Sequence, residues 1–151
     1  MRILAVAASV VLSAAPIAAA DEPCTPRPGD RRSVVVSFAP PEGGLVAGLT
    51  MIVDYPERKL SLPGTGTNVP KDAISGTPTG AVVGLNDFGN EVKIVLAAPG
   101  EIAPGKVVEL AFEVCEGGET IAATDFTCRV LDAADPMANL VREVTCRVAV
   151  P

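Results

Sequence analysis

The residues of this chain with the greatest chemical potential are its four cysteines, which stand in a sequence of 151 residues without any histidine. They are Cys24, Cys115, Cys128 and Cys146. No C-x-x-C pair occurs, and zinc sites and reactive thiols usually depend on that spacing or on a histidine. We therefore expect two structural disulfides, provided that the chain reaches an oxidising compartment.

Acid–base chemistry has few candidates. The absence of histidine excludes Ser-His-Asp and Cys-His arrangements, and the sequence contains no G-x-S-x-G, P-loop or G-x-G-x-x-G motif. Carboxylate pairs of the kind that glycosidases use remain, and they are Asp54 and Glu57, Asp87 and Glu91, Glu113 and Glu116, and Asp132 and Asp135. Each pair lies in a predicted turn or at a solvent-facing strand position. We therefore predict no catalytic residue, no cofactor and no enzymatic activity.

Two groups of oxygen-bearing side chains resemble calcium ligands in type but not in spacing. One comprises Asn86, Asp87 and Asn90, and the other comprises Asp132 and Asp135. Neither group follows an EF-hand pattern, whereas Asn and Asp are favoured in turns because their side chains bond to nearby backbone. The sequence therefore predicts turns at both places and no metal site.

The charge balance limits the possible partners. Twelve basic residues stand against eighteen acidic ones, which gives a net charge of −6. The one close basic cluster is Arg27, Arg31 and Arg32. Nucleic-acid binding needs a basic surface, so this class of function is disfavoured.

The first twenty residues predict export. Arg2 precedes the short apolar run Ile3–Leu12, and Ala18-Ala19-Ala20 forms an A-x-A cleavage site ahead of Asp21. The run is too short to span a bilayer, so no membrane span is expected. We predict a signal peptide over 1–20 and a mature protein in the periplasm or outside the cell.

The 14 glycines and 14 prolines are spread along the chain, and this distribution predicts short strands joined by turns. An extended arm over 21–32 should precede a domain over 33–151, with a long loop over Pro63–Gly80. The predicted strands are Ser33–Ala39, Leu45–Tyr55, Leu60–Leu62, Ala81–Leu85, Glu91–Ala97, Lys106–Cys115, Ile121–Leu131 and Val141–Val150. This pattern predicts an all-β fold, a two-sheet jelly-roll or immunoglobulin-like β-sandwich of about eight or nine short strands.

Alternation along the strands sorts the cysteines by face. Cys128 shares its parity with Phe126 and Val130, and Cys146 shares its parity with neighbouring valines, so both should point inward. If their segments pair antiparallel, the two sulfurs lie within reach of one another.

Cys115 has the outward parity of Glu113, and Cys24 on the arm is its natural partner. This reasoning favours the pairs Cys24–Cys115 and Cys128–Cys146. A hairpin across Gly117-Gly118 that joins Cys115 to Cys128, and leaves Cys24 for Cys146, is the alternative.

Two stretches of the chain carry a family resemblance, VVVSFAPPEGGLVAGLTMIVDYPERKL and GKVVELAFEV. An opening V-x-V-x-F strand, the Asp54-Tyr55-Pro56 end of the next strand and the later Pro104-Gly105 turn resemble the cohesin domain. Cohesins are jelly-roll sandwiches related to family 2 and 3 carbohydrate-binding modules. The resemblance implies a non-catalytic domain that binds a dockerin-like protein through one face of the sandwich.

The sequence thus favours an exported module that binds a protein, either dockerin-like or part of the cell envelope. Outward-facing strand positions such as Glu91, Lys93, Glu109 and Glu113 are then available for contact. A polysaccharide-binding module is the alternative, although only Phe88 among the aromatic residues is expected to be exposed. A divergent secreted hydrolase is a further alternative.

Overall fold

The computed structural model of the chain describes residues 23–118 and 120–151, and these residues form nine strands. The predicted signal peptide 1–20 lies outside them. The strands are β1 Pro26–Ala39, β2 Gly48–Asp54, β3 Leu60–Ser61, β4 Ile74–Ser75, β5 Val82–Asp87, β6 Glu91–Ala97, β7 Gly105–Cys115, β8 Thr127–Ala134 and β9 Thr145–Ala149. Only two single turns of 3₁₀ helix accompany them among the described residues, at Lys71–Ala73 and Ala123–Asp125.

The strands form two antiparallel sheets. One has five strands in the order β3-β7-β1-β9, with β4 also paired to β7. The other has four strands in the order β5-β6-β2-β8. The predicted all-β sandwich of two sheets is therefore confirmed.

The core lies between the inner faces of the two sheets and follows from strict alternation. In β7, Val108, Leu110, Phe112 and Val114 are all fully buried, as the period of two predicts. On the other sheet, β6 contributes an inward-facing row of aliphatic side chains. The ring of Phe112 lies against Tyr55 and Phe126, with ring centroids 4.8 and 6.2 Å away.

The first strand begins earlier than the sequence predicts. It starts at Pro26 instead of Ser33, so the expected boundary between arm and sandwich falls inside β1. Pro26 lies opposite Cys115 and Arg31 opposite Glu113, with an irregularity between them. Gly29 adopts a φ of 81° there, a left-handed conformation that glycine tolerates without steric cost.

Several other boundaries also differ from the predicted ones. Residues 86–87 belong to β5 instead of a turn, and residues 132–134 extend β8. The last strand is shorter than Val141–Val150, because the preceding segment crosses from one sheet to the other. Glu143, with a φ of 59°, lies in that crossing.

The structure contains the disulfides Cys24–Cys115 and Cys128–Cys146, the same pairing that strand parity favours. The first attaches the chain ahead of β1 to the end of β7. The sequence predicts that the second bridge joins antiparallel neighbours in one sheet, and the structure shows that it does not. Since β8 pairs with β2 and β9 pairs with β1, this bridge instead ties the two sheets together.

Candidate functional site

The outer surface of the four-stranded sheet, which we call the four-stranded face, is divided into an aliphatic half and a charged half. The aliphatic half combines exposed side chains with glycine and alanine, namely Val82, Gly84, Val95, Ala97, Gly48, Ala134 and Leu131. Its polar members are Thr50, opposite Val95, and the exposed Asp132 on the edge strand β8. Val82 is 73% exposed, Leu131 51% and Val95 41%. Exposed aliphatic side chains concentrated on one flat surface favour contact with another molecule.

Cross-strand register brings the members of the aliphatic half together. Gly84 on β5 lies opposite Val95 on β6, and a Cβ at Gly84 would come within 3.9 Å of the Val95 Cβ. A Cβ at Gly48 on β2 would lie 3.8 Å from the Ala134 Cβ on β8. The small residues therefore leave a flat surface from which the valines project.

The charged half is organised around Arg129 on β8. Its guanidinium donates to Asp54 at 2.8 Å and to Glu91 at 3.1 Å. The Thr127 hydroxyl also donates to Asp54, and the register places Asp54 opposite both Glu91 and Thr127. The arrangement fixes three charges in place across β6, β2 and β8.

The contacts in this cluster shift the pKa values of Asp54 and Arg129 in opposite directions, and each shift favours the charged form. The hydrogen bond from Thr127, followed by the bond and charge of Arg129, lowers the pKa of Asp54 against the opposing effect of burial. Hydrogen bonds to Asp54 and Glu91 raise the pKa of Arg129. Because the pairs are solvent-exposed, they contribute little to stability, and their value lies in a defined charge pattern.

The outer surface of the five-stranded sheet differs in character. Ser33 donates to Glu109, which also accepts from Lys106 at 2.8 Å, and Arg31 pairs with Asp72 at 2.9 Å. The bond from Lys106, then that from Ser33, lowers the pKa of Glu109. Several of its polar groups are thus bonded to one another, and exposed aliphatic side chains are few among its described residues.

The four contact positions predicted from parity consequently do not form one surface. Glu91 and Lys93 lie on the four-stranded face, whereas Glu109 and Glu113 lie on the opposite side of the sandwich. A single partner docked flat on one sheet reaches only one of these pairs.

At one end of the sandwich, Tyr55 lies beside an open cavity of about 420 Å³, lined in part by Glu57, Arg58 and Asp87. The buried Tyr55 hydroxyl donates to Asp87 Oδ1 at 2.8 Å, and the Gly89 amide donates to the same oxygen at 3.1 Å. Burial, followed by the hydrogen bond and charge of Asp87, raises the pKa of Tyr55 far above its usual value. The hydroxyl is therefore a fixed neutral donor.

Tyr55→Phe should lower the free energy of unfolding by about 1.5 kcal/mol, because it removes a hydrogen bond to a charged, half-buried group. Urea unfolding measured against the wild type tests this expectation. A change below the error of the measurement would mean that water replaces the hydroxyl as the donor to Asp87.

Several of the remaining candidates for chemistry are engaged in structural roles. Asp135 accepts the Met137 and Asn139 amides at 2.8 Å each, and these bonds cap its own turn. In the pair Asp87 and Glu91, Asp87 is bonded to Tyr55, while Glu91 is bonded to Arg129. Within residues 23–118 and 120–151, no three potential metal-ligating side chains among His, Cys, Asp and Glu come together.

Sequence reasoning missed the aliphatic half, although one signal was present. Strand β6 reads EVKIVLA, in which Val95 and Ala97 make the outward parity apolar towards the end of the strand. In a two-sheet sandwich each strand has one face towards the core and one face outwards. A strand whose outward-facing residues are also apolar therefore indicates an outer surface with hydrophobic character.

Comparisons with known proteins found no match: no protein-family model, no curated protein and no solved structure corresponds to this chain. In the part of the chain that the structure describes, no helix reaches the length and hydrophobicity needed to cross a membrane.

Proposed function

We propose that this chain is an exported, non-catalytic binding domain that docks on a protein partner through its four-stranded face, in the manner that the cohesin resemblance implies. The observation that supports this proposal most directly is the aliphatic half of that face, where Val82 and Val95 project beside Gly84. Protein interfaces characteristically combine an apolar centre with a polar rim.

The charged half supplies such a rim. Arg129 holds Asp54 and Glu91 in fixed positions through bonds of 2.8 and 3.1 Å. Charges that are already ordered need little rearrangement on binding, and they select partners with the complementary pattern. The aliphatic half is thus suited to affinity and the charged half to the choice of partner.

A protein partner is favoured over a polysaccharide because aromatic stacking surfaces are scarce. Phe38, Phe112 and Phe126 are buried, as is Tyr55, whereas Phe88 is 56% exposed in the turn between β5 and β6. A sugar chain usually needs several stacked rings, and a single exposed phenylalanine provides one. Flat aliphatic surfaces, in contrast, are ordinary features of protein interfaces.

The test is capture of partners from the native secretome on the immobilised mature domain, followed by affinity measurements with two matched variants. Val95→Asp introduces a charge into the aliphatic half, and Ala149→Asp places the same charge on the outer surface of the five-stranded sheet. We expect Val95→Asp to weaken binding at least about tenfold, while Ala149→Asp changes it little.

Equal affinities for the two variants would exclude the four-stranded face as the binding surface. Release of the partner by a soluble polysaccharide would favour the carbohydrate-binding alternative. Urea midpoints measured for both variants establish that a loss of binding does not come from unfolding.

A further inference from the structure

We propose that the free edge of β5 pairs with β5 of a second copy of this chain, so that two four-stranded sheets join into one across a two-fold axis. The proposal concerns the edge of the sheet, and it does not depend on which partner docks on the outer face.

The backbone groups available for this pairing follow from one hydrogen bond. Asp87 pairs with Val92 in the β5–β6 ladder, yet its amide donates to the Gly66 carbonyl at 2.8 Å, on the side away from β6. Because backbone groups alternate along a strand, the N–H and C=O of Val83 and Leu85 point to that same side. No other backbone hydrogen bond outside the β5–β6 ladder joins these groups to a described residue.

The available stretch is short and has defined limits. At one end, Gly66 occupies the position next to Asp87. At the other end, the chain turns away through a hydrogen bond from the Ala81 amide to the Pro78 carbonyl at 3.1 Å. Residues 82–86 therefore form a free edge that is five residues long.

The other edges of the sandwich carry protection that β5 lacks. Beside β8, Leu140 forms a bridge with Ala134, and the Val141 amide donates to Ala133 at 2.8 Å. The edge strand β9 contains the charged Arg147 and a disulfide, and β3 and β4 are two residues long each. Residues 82–86, VVGLN, contain no charge and no proline, which are the usual guards against edge pairing.

A second copy fits this edge because the stretch is complementary to itself. With the two-fold axis at Gly84, Val83 of each copy lies opposite Leu85 of the other. Both pairs are of the hydrogen-bonded type, so all the free N–H and C=O groups of these residues find partners. Gly84 then faces Gly84 in a non-hydrogen-bonded pair, where the Cα atoms approach to about 4.5 Å.

Electrostatics also favour a second copy at this place. The chain carries a net charge of −6, so most surfaces of two copies repel each other. In this register, Val82 lies opposite Asn86, and residues 82–86 carry no charged side chain. The edge of β5 is thus a surface at which two acidic molecules can meet without placing like charges opposite one another.

The test is sedimentation velocity of the mature, disulfide-bonded protein over a concentration series, compared with Gly84→Lys and Gly84→Ala. Gly84 has an ordinary extended backbone, and a Cβ there meets Val95 at a normal contact distance, so the monomer should accept both substitutions. Lysine places two ammonium groups face to face at the axis, whereas alanine adds only a methyl group. Lysine also lowers the net negative charge, so general repulsion cannot explain a loss of dimer.

We expect the wild type and Gly84→Ala to dimerise with rising concentration, and Gly84→Lys to dimerise at least about tenfold more weakly. In the wild type, amide hydrogen exchange at Val83 and Leu85 should slow as the dimer forms. A wild type that stays monomeric throughout, or a Gly84→Lys variant that dimerises as tightly as the wild type, would overturn the proposal. A dimer whose Val83 and Leu85 amides exchange as fast as in the monomer would overturn it as well.

Discussion

Phe112→Ala should lower the free energy of unfolding by about 3–5 kcal/mol, the usual loss for a buried aromatic side chain. Phe112 is fully buried, and its ring contacts Tyr55, which follows β2, and lies near Phe126, which precedes β8. Truncation therefore removes the contact on which both other rings pack. The surrounding strands are tied by hydrogen bonds and cannot collapse into the space that the ring leaves.

The control is Phe88→Ala, which removes the same side chain from an exposed turn. Phe88 is 56% exposed, so the free energy of unfolding should change by no more than about 0.5 kcal/mol. Urea unfolding curves give both values from the midpoints at a common slope. Equal losses for the two variants would contradict the assignment of Phe112 to the centre of the core.

The strands that could be predicted are those in which one face is wholly apolar. The interval Glu91–Ala97 matches β6 at both ends, and Lys106–Cys115 misses β7 by a single residue. In these segments alternation and turn signals agree, because buried apolar residues recur at every second position beside turns such as Gly89-Asn90 and Pro104-Gly105. Local pattern is sufficient there, since burial on one face sets the whole strand.

Segments whose structure depends on a distant partner could not be predicted from the sequence. Residues 26–32 contain Pro26, Pro28 and three arginines, a composition typical of an exposed arm, yet they extend β1. They do so because β7 offers an edge, with Arg31 opposite Glu113, and because Cys24 is bonded to Cys115. The disulfide is predicted from the cysteines, whereas the pairing of residues 26–32 with β7 has no local signal in the sequence.

The candidate site could likewise be predicted only in part from the sequence. The outward parity of Val95 was visible in the sequence, whereas the contact of Arg129 with Asp54 and Glu91 depends on the order of β6, β2 and β8 in the sheet. Strand order places residues 38 positions apart within 3.1 Å. Parity identifies which residues face outward, and only the topology identifies which of them meet.

Strand parity was also sufficient to favour the two disulfide pairs. It was not sufficient to show whether a bridge lies within one sheet or between the two sheets. Parity assigns Cys128 and Cys146 to the inside, and an inward residue at the edge of one sheet can reach either a neighbouring strand or the opposite sheet. The crossing between β8 and β9 decides for the opposite sheet. The bridge therefore joins the edge strand β8 of one sheet to the edge strand β9 of the other. No ladder of hydrogen bonds connects these two strands in the part of the chain that the structure describes.

The two disulfides should contribute unequally to stability. They join residues 91 and 18 positions apart, and a cross-link that closes a longer loop removes more conformational freedom from the unfolded chain. On this basis Cys24→Ala with Cys115→Ala should cost about 4–5 kcal/mol, and Cys128→Ala with Cys146→Ala about 3 kcal/mol. Cys115 is fully buried, so the cavity left by its sulfur adds to the larger loss.

Urea unfolding of the two double variants under non-reducing conditions measures the difference, with the wild type in reductant as the reference for loss of both bridges. A greater loss for the Cys128–Cys146 pair would mean that loop closure is not the dominant effect. The stabilisation would then come from the contact between the two sheets in the folded state, which this bridge makes and Cys24–Cys115 does not. The order of the two losses therefore distinguishes an effect on the unfolded chain from an effect on the folded sandwich.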